Sequence, residues 1–128
     1  MGSPNSNPSP QAALLDFRQL ETFVVIGVAD YLELLGDVIK DVPVQLESIR
    51  SAIAEEDLSR LKARTHGLRG LLAYFGCIGM TGRLAELESQ TSVLPEQSAV
   101  IHAELQDLWQ RSLAALKQWE KSLPGLSP

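Results

Sequence analysis

From Gln11 onward, apolar residues recur at three- and four-residue intervals, and no segment alternates as a half-buried strand would. The pattern predicts a succession of helices. Leu14–Val28 reads as a first, short helix, rich in β-branched residues towards its end. A second opens near Asp30, a good N-cap, and runs to about Glu55; its Leu35, Ile39, Val42, Leu46, Ile49 and Ile53 follow at intervals of four, three, four, three and four. That spacing is the seam of a bundle helix. Pro43 lies inside this segment and predicts a kink or a division there. The third helix starts around Glu56–Asp57 with its own seam of Leu58, Leu61, Thr65, Leu68, Leu72 and Phe75, and Gly76 stands where a left-handed terminating residue is expected. A fourth helix covers Ile78 to Thr91. A connection containing Pro95 leads to a fifth, from Pro95 or Glu96 to about Leu123, with Ile101, Leu105, Leu108, Ser112, Leu116 and Trp119 on one stripe. Pro124 and Gly125 stop it. Short links between seam-bearing helices imply antiparallel neighbours. The expectation is an all-α, up-and-down antiparallel four-helix bundle with an additional short N-terminal helix, over residues 11–124. Residues 1–10, with three prolines and five Ser or Asn, are expected to form a disordered tail, and 125–128 a second short tail.

Composition narrows the class. The 128 residues suit one domain; 45% hydrophobic and 21% charged residues exclude global disorder, and 5% aromatic content requires an aliphatic core. A net charge of −5 argues against nucleic acid or an anionic membrane as partner of the surface as a whole. Cys77 is the only cysteine, which rules out an intramolecular disulfide and zinc sites built from paired cysteines. The longest apolar stretch, Phe23–Ala29, is too short to span a bilayer, and no charged segment with an apolar stretch behind it opens the chain. A soluble, cytoplasmic, monomeric domain is expected.

Two anomalies coincide in the third and fourth helices. Between Leu58 and Ala85 there is no acidic residue, while Arg60, Lys62, Arg64, Arg69 and Arg83 give the segment +5, against −10 for the rest of the chain. Five of the nine glycines (Gly67, Gly70, Gly76, Gly79 and Gly82) also lie there. Gly67 and Gly70 fall inside the helix, where each costs about 0.8–1.0 kcal/mol relative to alanine. Gly79 and Gly82 read as helix–helix packing points. At about 100° per residue, Ser59, Lys62, Arg69, Gly70, Ala73 and Cys77 fall within about 60° of His66, away from most of the leucine seam. His66 therefore stands on an outward stripe whose neighbours are basic or small. Such a stripe is either a solvated face or a site that receives an anionic phosphoryl group from a docking partner.

The residues themselves resemble a known family. His66-Gly67-Leu68-Arg69-Gly70, followed by Ala73-Tyr74-Phe75-Gly76, is similar to the histidine phosphotransfer (HPt) signature, H-x-L-[K/R]-G-x(4)-[apolar]-G. Asp41-Val42-Pro43 with Leu46 and Ile49 resembles the start of the family's long second helix, and Arg83-Leu84-Ala85-Glu86-Leu87-Glu88 its fourth. The strict motif covers residues 65–76, and the helical order matches over about 14–122. Gly67 directly after the histidine, and Arg69 where lysine is commoner, depart from the usual pattern.

The resemblance implies that His66 accepts a phosphoryl group through Nε2 and relays it between aspartates of receiver domains in a two-component phosphorelay. An ordinary imidazole, with a pKa of about 6.5, is mostly neutral and nucleophilic near neutrality. Phosphoryl transfer proceeds through a loose transition state, so positioning and charge neutralisation do most of the work. Arg69, at i+3, can offer forked donors to phosphate oxygens, and Lys62, at i−4, a diffuse positive field; Gly70 and Ala73 leave room for a docking partner. The implied partner is the receiver domain of a hybrid histidine kinase or of a response regulator. It would carry Mg²⁺, with no cofactor or metal on this chain, which is thus a phosphocarrier rather than an enzyme.

Glu88 lies about as far beyond the turn at Gly76 as His66 lies before it, so an antiparallel return brings the two close to level. By resemblance to the members attached to chemotaxis kinases, Glu88 would accept the Nδ1 proton of the active histidine; a solvated glutamate is the alternative reading. His102 has no basic residue at i+3 and no glycine at i+4, and reads as structural or surface. Cys77, near the end of the third helix, is expected to be partly exposed. Trp109 and Trp119 read as core or core edge. The rival to a phosphocarrier is a helical adaptor that docks a receiver or other signalling domain without being phosphorylated; a domain cut from a hybrid kinase is a further possibility.

Overall fold

The computed structural model describes residues 14–123. The two expected tails, at 1–10 and 125–128, lie outside them. Among the described residues five α-helices follow in order: α1 Phe17–Ile26, α2 Val28–Ala54, α3 Leu58–Ala73, α4 Ile78–Glu88 and α5 Ser98–Glu120, the last preceded by a 3₁₀ turn at Pro95–Gln97. Helix α2 packs on α3 and α5, α3 on α4, and α4 on α5, which closes a ring of four antiparallel helices, with α1 lying against α2. No strand occurs among the described residues. This is the expected four-helix bundle with its short N-terminal helix.

The seams meet inside the ring. Leu35, Val42, Leu46, Ile49 and Ile53 of α2 are buried together with Leu61, Leu68 and Leu72 of α3, Met80, Leu84 and Leu87 of α4, and Leu105, Trp109 and Leu116 of α5. Two polar residues within the seams, Thr65 and Ser112, are fully buried. Each hydroxyl donates to a carbonyl one turn back, Leu61 at 2.8 Å and Leu108 at 2.8 Å, so neither leaves an unsatisfied group. Tyr31, Phe75 and Trp119 close one end in tilted and edge-on ring contacts.

Several boundaries differ from the sequence expectation. Helix α2 is continuous through Pro43, which stands on the solvent side. Water there can satisfy the Ile39 carbonyl that the missing proline N–H leaves unbonded, so the helix is not divided. Its N-cap is Gly27, and Asp30 sits in its first turn. Helix α4 stops at Glu88 rather than Thr91, where polar side chains take one of its end carbonyls: Ser89 Oγ and Gln90 Nε2 both donate to Glu86 O, at 2.8 and 3.3 Å. Helix α5 begins at Ser98 and ends at Glu120.

The turn from α3 to α4 fixes the site. Gly76 has φ +61°, and the Cys77 and Gly76 N–H groups reach back to Leu72 O and Ala73 O at 3.2 and 3.0 Å. A Cβ at Gly76 would also lie 2.6 Å from the main-chain oxygen of Asp16, whose own N–H bonds Gly76 O. Glycine is therefore required twice over, and α1 is anchored against this turn. Because α3 ends at Ala73, the stripe around His66 does not extend to Cys77, which is fully buried rather than partly exposed. Burial pushes its thiol up to about 12. Gly82, read as a packing point, is exposed, and a Cβ there would meet nothing within 4 Å.

Candidate functional site

The seam decides where His66 points. Leu61, Thr65, Leu68 and Leu72 turn into the core, so a residue one step past Thr65 must project outward. The His66 side chain is 70% exposed. Asp57 caps α3 by accepting from the Arg60 N–H at 3.0 Å, which sets the helix register from its first turn.

Helix α4 returns alongside and delivers Glu88, its last residue, to the same level. The His66 Nδ1 lies 2.9 Å from Glu88 Oε2. Arg69 engages the other carboxylate oxygen, with Nε at 3.0 Å and Nη2 at 2.7 Å from Oε1. Lys62 Nζ donates to the Glu88 main-chain carbonyl at 2.9 Å. Three residues of α3, spaced i, i+4 and i+7, thus hold one residue of α4.

The protonation pattern follows from the chemistry of these groups. Desolvation pushes the Glu88 carboxyl up, but the hydrogen bonds from His66 and Arg69, and their charge, outweigh it and hold the group below the ordinary 4.5. A carboxylate only accepts, so the proton of this contact belongs to His66 Nδ1. The neutral ring then keeps its lone pair on Nε2. Arg69 Nη2 also lies 3.3 Å from Nδ1. With both nitrogens carrying protons that contact is no hydrogen bond, and the shorter Glu88 contacts define the arrangement.

The five predicted site neighbours of His66 divide. Arg69, Glu88 and Lys62 come together with it. Gly70 and Ala73 are exposed on the same face, where a Cβ at Gly67 or Gly70 would meet nothing within 4 Å. Gly70 and Ala73 line a shallow groove with Gln19 and Tyr74, adjoining an apolar groove of Leu34, Val38, Leu71, Tyr74 and Phe75. Sequence reasoning missed Gln19 and Leu34. They arrive from α1 and α2 by tertiary packing, and nothing in the spacing of α3 marks them. The 64% exposure of Tyr74, at the end of the motif, also carried no signal in the helical period.

The acid-free segment does not form an uncompensated basic patch. Arg60 reaches Glu55 at 3.4 Å, Arg69 reaches Glu88, and Arg83 lies 3.8 Å from Glu86 and 3.5 Å from Glu104. Lys62 is committed to a carbonyl. Every one of those carboxylates lies outside Leu58–Ala85, so three of the five segregated cations are paired in space. Arg64 is exposed and has no ion-pair partner among the described residues.

His102, on α5, is 17% exposed, with Nε2 3.9 Å from Glu47 Oε1. Trp109 is buried and Trp119 partly buried against the core. Among the described residues, no group of three potential ligands is placed to hold a metal ion. Nor is any helix there long and apolar enough to cross a membrane.

The family model of the Hpt domain matches residues 33–119, from the first half of α2 to the end of α5. The ring of four antiparallel helices agrees with that match, and the chain belongs to the Hpt domain family. No curated protein and no solved structure matched it. The family places the chain in histidine phosphotransfer within phosphorelays, with receiver domains as its kind of partner, in the role of a phosphocarrier.

Proposed function

We propose that this chain relays a phosphoryl group between receiver-domain aspartates through phospho-His66. The observation that carries the reading is the division of labour on one imidazole: Nδ1 is tethered 2.9 Å from the Glu88 carboxylate while the ring is 70% exposed. The tether leaves the Nε2 lone pair free to attack phosphorus in an aspartyl phosphate. The N–P bond forms as the bond from phosphorus to the acyl oxygen breaks, and the aspartate departs as a carboxylate. The ring becomes a phosphoimidazolium that retains its Nδ1 proton, and the Glu88 carboxylate stabilises that positive charge. The new phosphoryl oxygens compete with Glu88 for the Arg69 fork. Mg²⁺ belongs to the receiver, and the reverse step returns the group to a second aspartate. Gly70, Ala73 and the adjoining apolar groove leave room for the receiver's approach.

The test is to mix the protein with a panel of phosphorylated receivers. Transferred label is expected to be labile in acid and stable in base, as a phosphoramidate is, and to vanish in His66→Gln with the helical circular dichroism unchanged. Label that persists in His66→Gln overturns the assignment. A wild-type protein that binds receivers but never takes label would make it the non-phosphorylated adaptor instead.

A further inference from the structure

Lys62 lies four residues before His66, about 40° away around the helix. Its ammonium does not stand free beside the imidazole but crosses to α4, where it donates to the Glu88 main-chain carbonyl at 2.9 Å. That carbonyl belongs to the final residue of α4, one of the group that a helix end leaves without intrahelical donors. The carbonyls just before it are served locally: Ala85 O by the Ser89 N–H, and Leu87 O by the Gln90 N–H. The Glu88 carbonyl takes its donor from a different helix. The same residue's side chain carries the two contacts that organise the site, to His66 and to Arg69.

We propose that Lys62 is a positioning residue for phosphoryl acceptance at His66: it pins the backbone of Glu88 and so fixes the point from which the carboxylate reaches Nδ1. This role rests on the phosphotransfer reading above and deepens it. A glutamate at a fraying helix end has both backbone and side-chain freedom to lose before its carboxylate can hold an imidazole tautomer. A donor on the carbonyl removes the backbone part of that freedom, and a cation at a helix C-terminus is favourably placed to provide it. Lys62 thereby acts through Glu88, not as a positive field on the phosphoryl group. A field needs only charge. A pin needs a donor at the carbonyl and has no effect without the Glu88 carboxylate.

The two roles separate by ¹⁵N NMR of the His66 ring in the full chain, at a pH where the imidazole is neutral and with no receiver present. In the wild type the Nδ1–H tautomer is expected to predominate. Lys62→Met keeps the packing of the stem and loses the donor, and its His66 is expected to shift towards the Nε2–H form. Lys62→Arg, which can still donate to the carbonyl, is expected to restore the wild-type spectrum. In Glu88→Ala, adding Lys62→Met is expected to change the tautomer no further, because a residue that acts through Glu88 cannot be additive with its removal. A wild-type tautomer ratio in Lys62→Met, or an additive shift in the double variant, overturns the proposal. The measurement needs no phosphoryl group, so failure of the wild type to take label would count against the phosphotransfer reading and leave the result on Lys62 standing.

Discussion

The two histidines of this chain occupy opposite edges of the helical ring, His66 where α3 meets α4 and His102 where α5 meets α2. Each has a glutamate from the neighbouring helix, yet the two arrangements are chemically unlike. At the α3–α4 edge the glutamate takes Nδ1 at 2.9 Å and the ring is 70% exposed. At the α5–α2 edge Glu47 faces Nε2 at 3.9 Å, beyond hydrogen-bond distance, and the ring is 17% exposed. Glu47 is also committed elsewhere: its carboxyl is held low first of all by the hydrogen bonds from Arg50 on its own helix. A nearby carboxylate is therefore not enough. What distinguishes the first edge is which nitrogen is engaged, and that the other nitrogen is left facing a surface cleared by Gly70 and Ala73.

Breaking the tether should have the largest effect after loss of His66 itself. Glu88→Gln can still accept a hydrogen bond but has no charge to stabilise the imidazolium. Phosphorylation is expected to slow on the order of 10- to 100-fold, as when an outer hydrogen-bond partner of a working imidazole is removed, without being abolished. A time course of label uptake reads this directly, and an unchanged rate removes Glu88 from the site. The same variant sets the pH behaviour. The folded Glu88 value lies below the ordinary 4.5, so its contribution to stability is fully present above that pH and is lost as pH falls through the lowered value. The melting-temperature gap between wild type and Glu88→Gln should be present at neutral pH and close in acid. A gap that widens on acidification contradicts the pairing.

Filling the cleared surface should have the next largest effect. Gly70→Leu places a side chain where nothing lies within 4 Å and replaces glycine inside a helix, so stability is expected to hold or to rise by about 0.8 kcal/mol. Transfer from a receiver is nonetheless expected to slow by roughly 10-fold, because displacing reacting groups by even about 1 Å can cost up to about 100-fold. Thermal melting and transfer rate should thus move in opposite directions. Normal transfer in this variant would mean that the glycine does not serve docking.

How legible the site was depends on which physical signal each residue leaves in a linear chain. The seam Leu61–Thr65–Leu68–Leu72 and the terminating Gly76 are local, so they predict the burial of α3, the outward face of His66 and the turn that aligns Glu88. The end of α4 was less legible. It depends on Ser89 and Gln90 side chains taking the Glu86 carbonyl, where helical period alone suggests continuation to Thr91. Pro43 allowed a kink or a division from the sequence, and the helix is not divided: a proline's cost depends on the face it occupies, and here the ring stands in water. Cys77 misled because a helical wheel has no meaning past the helix end at Ala73. Charge misled most. The acid-free segment looks like a basic island along the chain, but Glu55, Glu86, Glu88 and Glu104 pair with it from outside, and only the fold reveals that.

The smallest effect belongs to the second histidine, and it tests whether the comparison between the edges is sound. His102 makes a long approach to a glutamate already engaged by Arg50, and it has no glycine one turn on to open a surface for a partner. Removing it should therefore cost neither chemistry nor a hydrogen bond. Gln is a better helix former than His, and α5 is long and continuous around this position, so the backbone should accept the change. His102→Gln is expected to alter stability by no more than about 0.5 kcal/mol, the usual range for a substitution away from a special feature. Label uptake should match the wild type in both rate and extent. Denaturant unfolding and the receiver assay, run on the same preparation, read the two halves of the expectation separately. A loss of label with stability unchanged would show that the α5–α2 edge takes part in the transfer after all. A large loss of stability with label intact would make Glu47 and His102 a structural pair despite their separation.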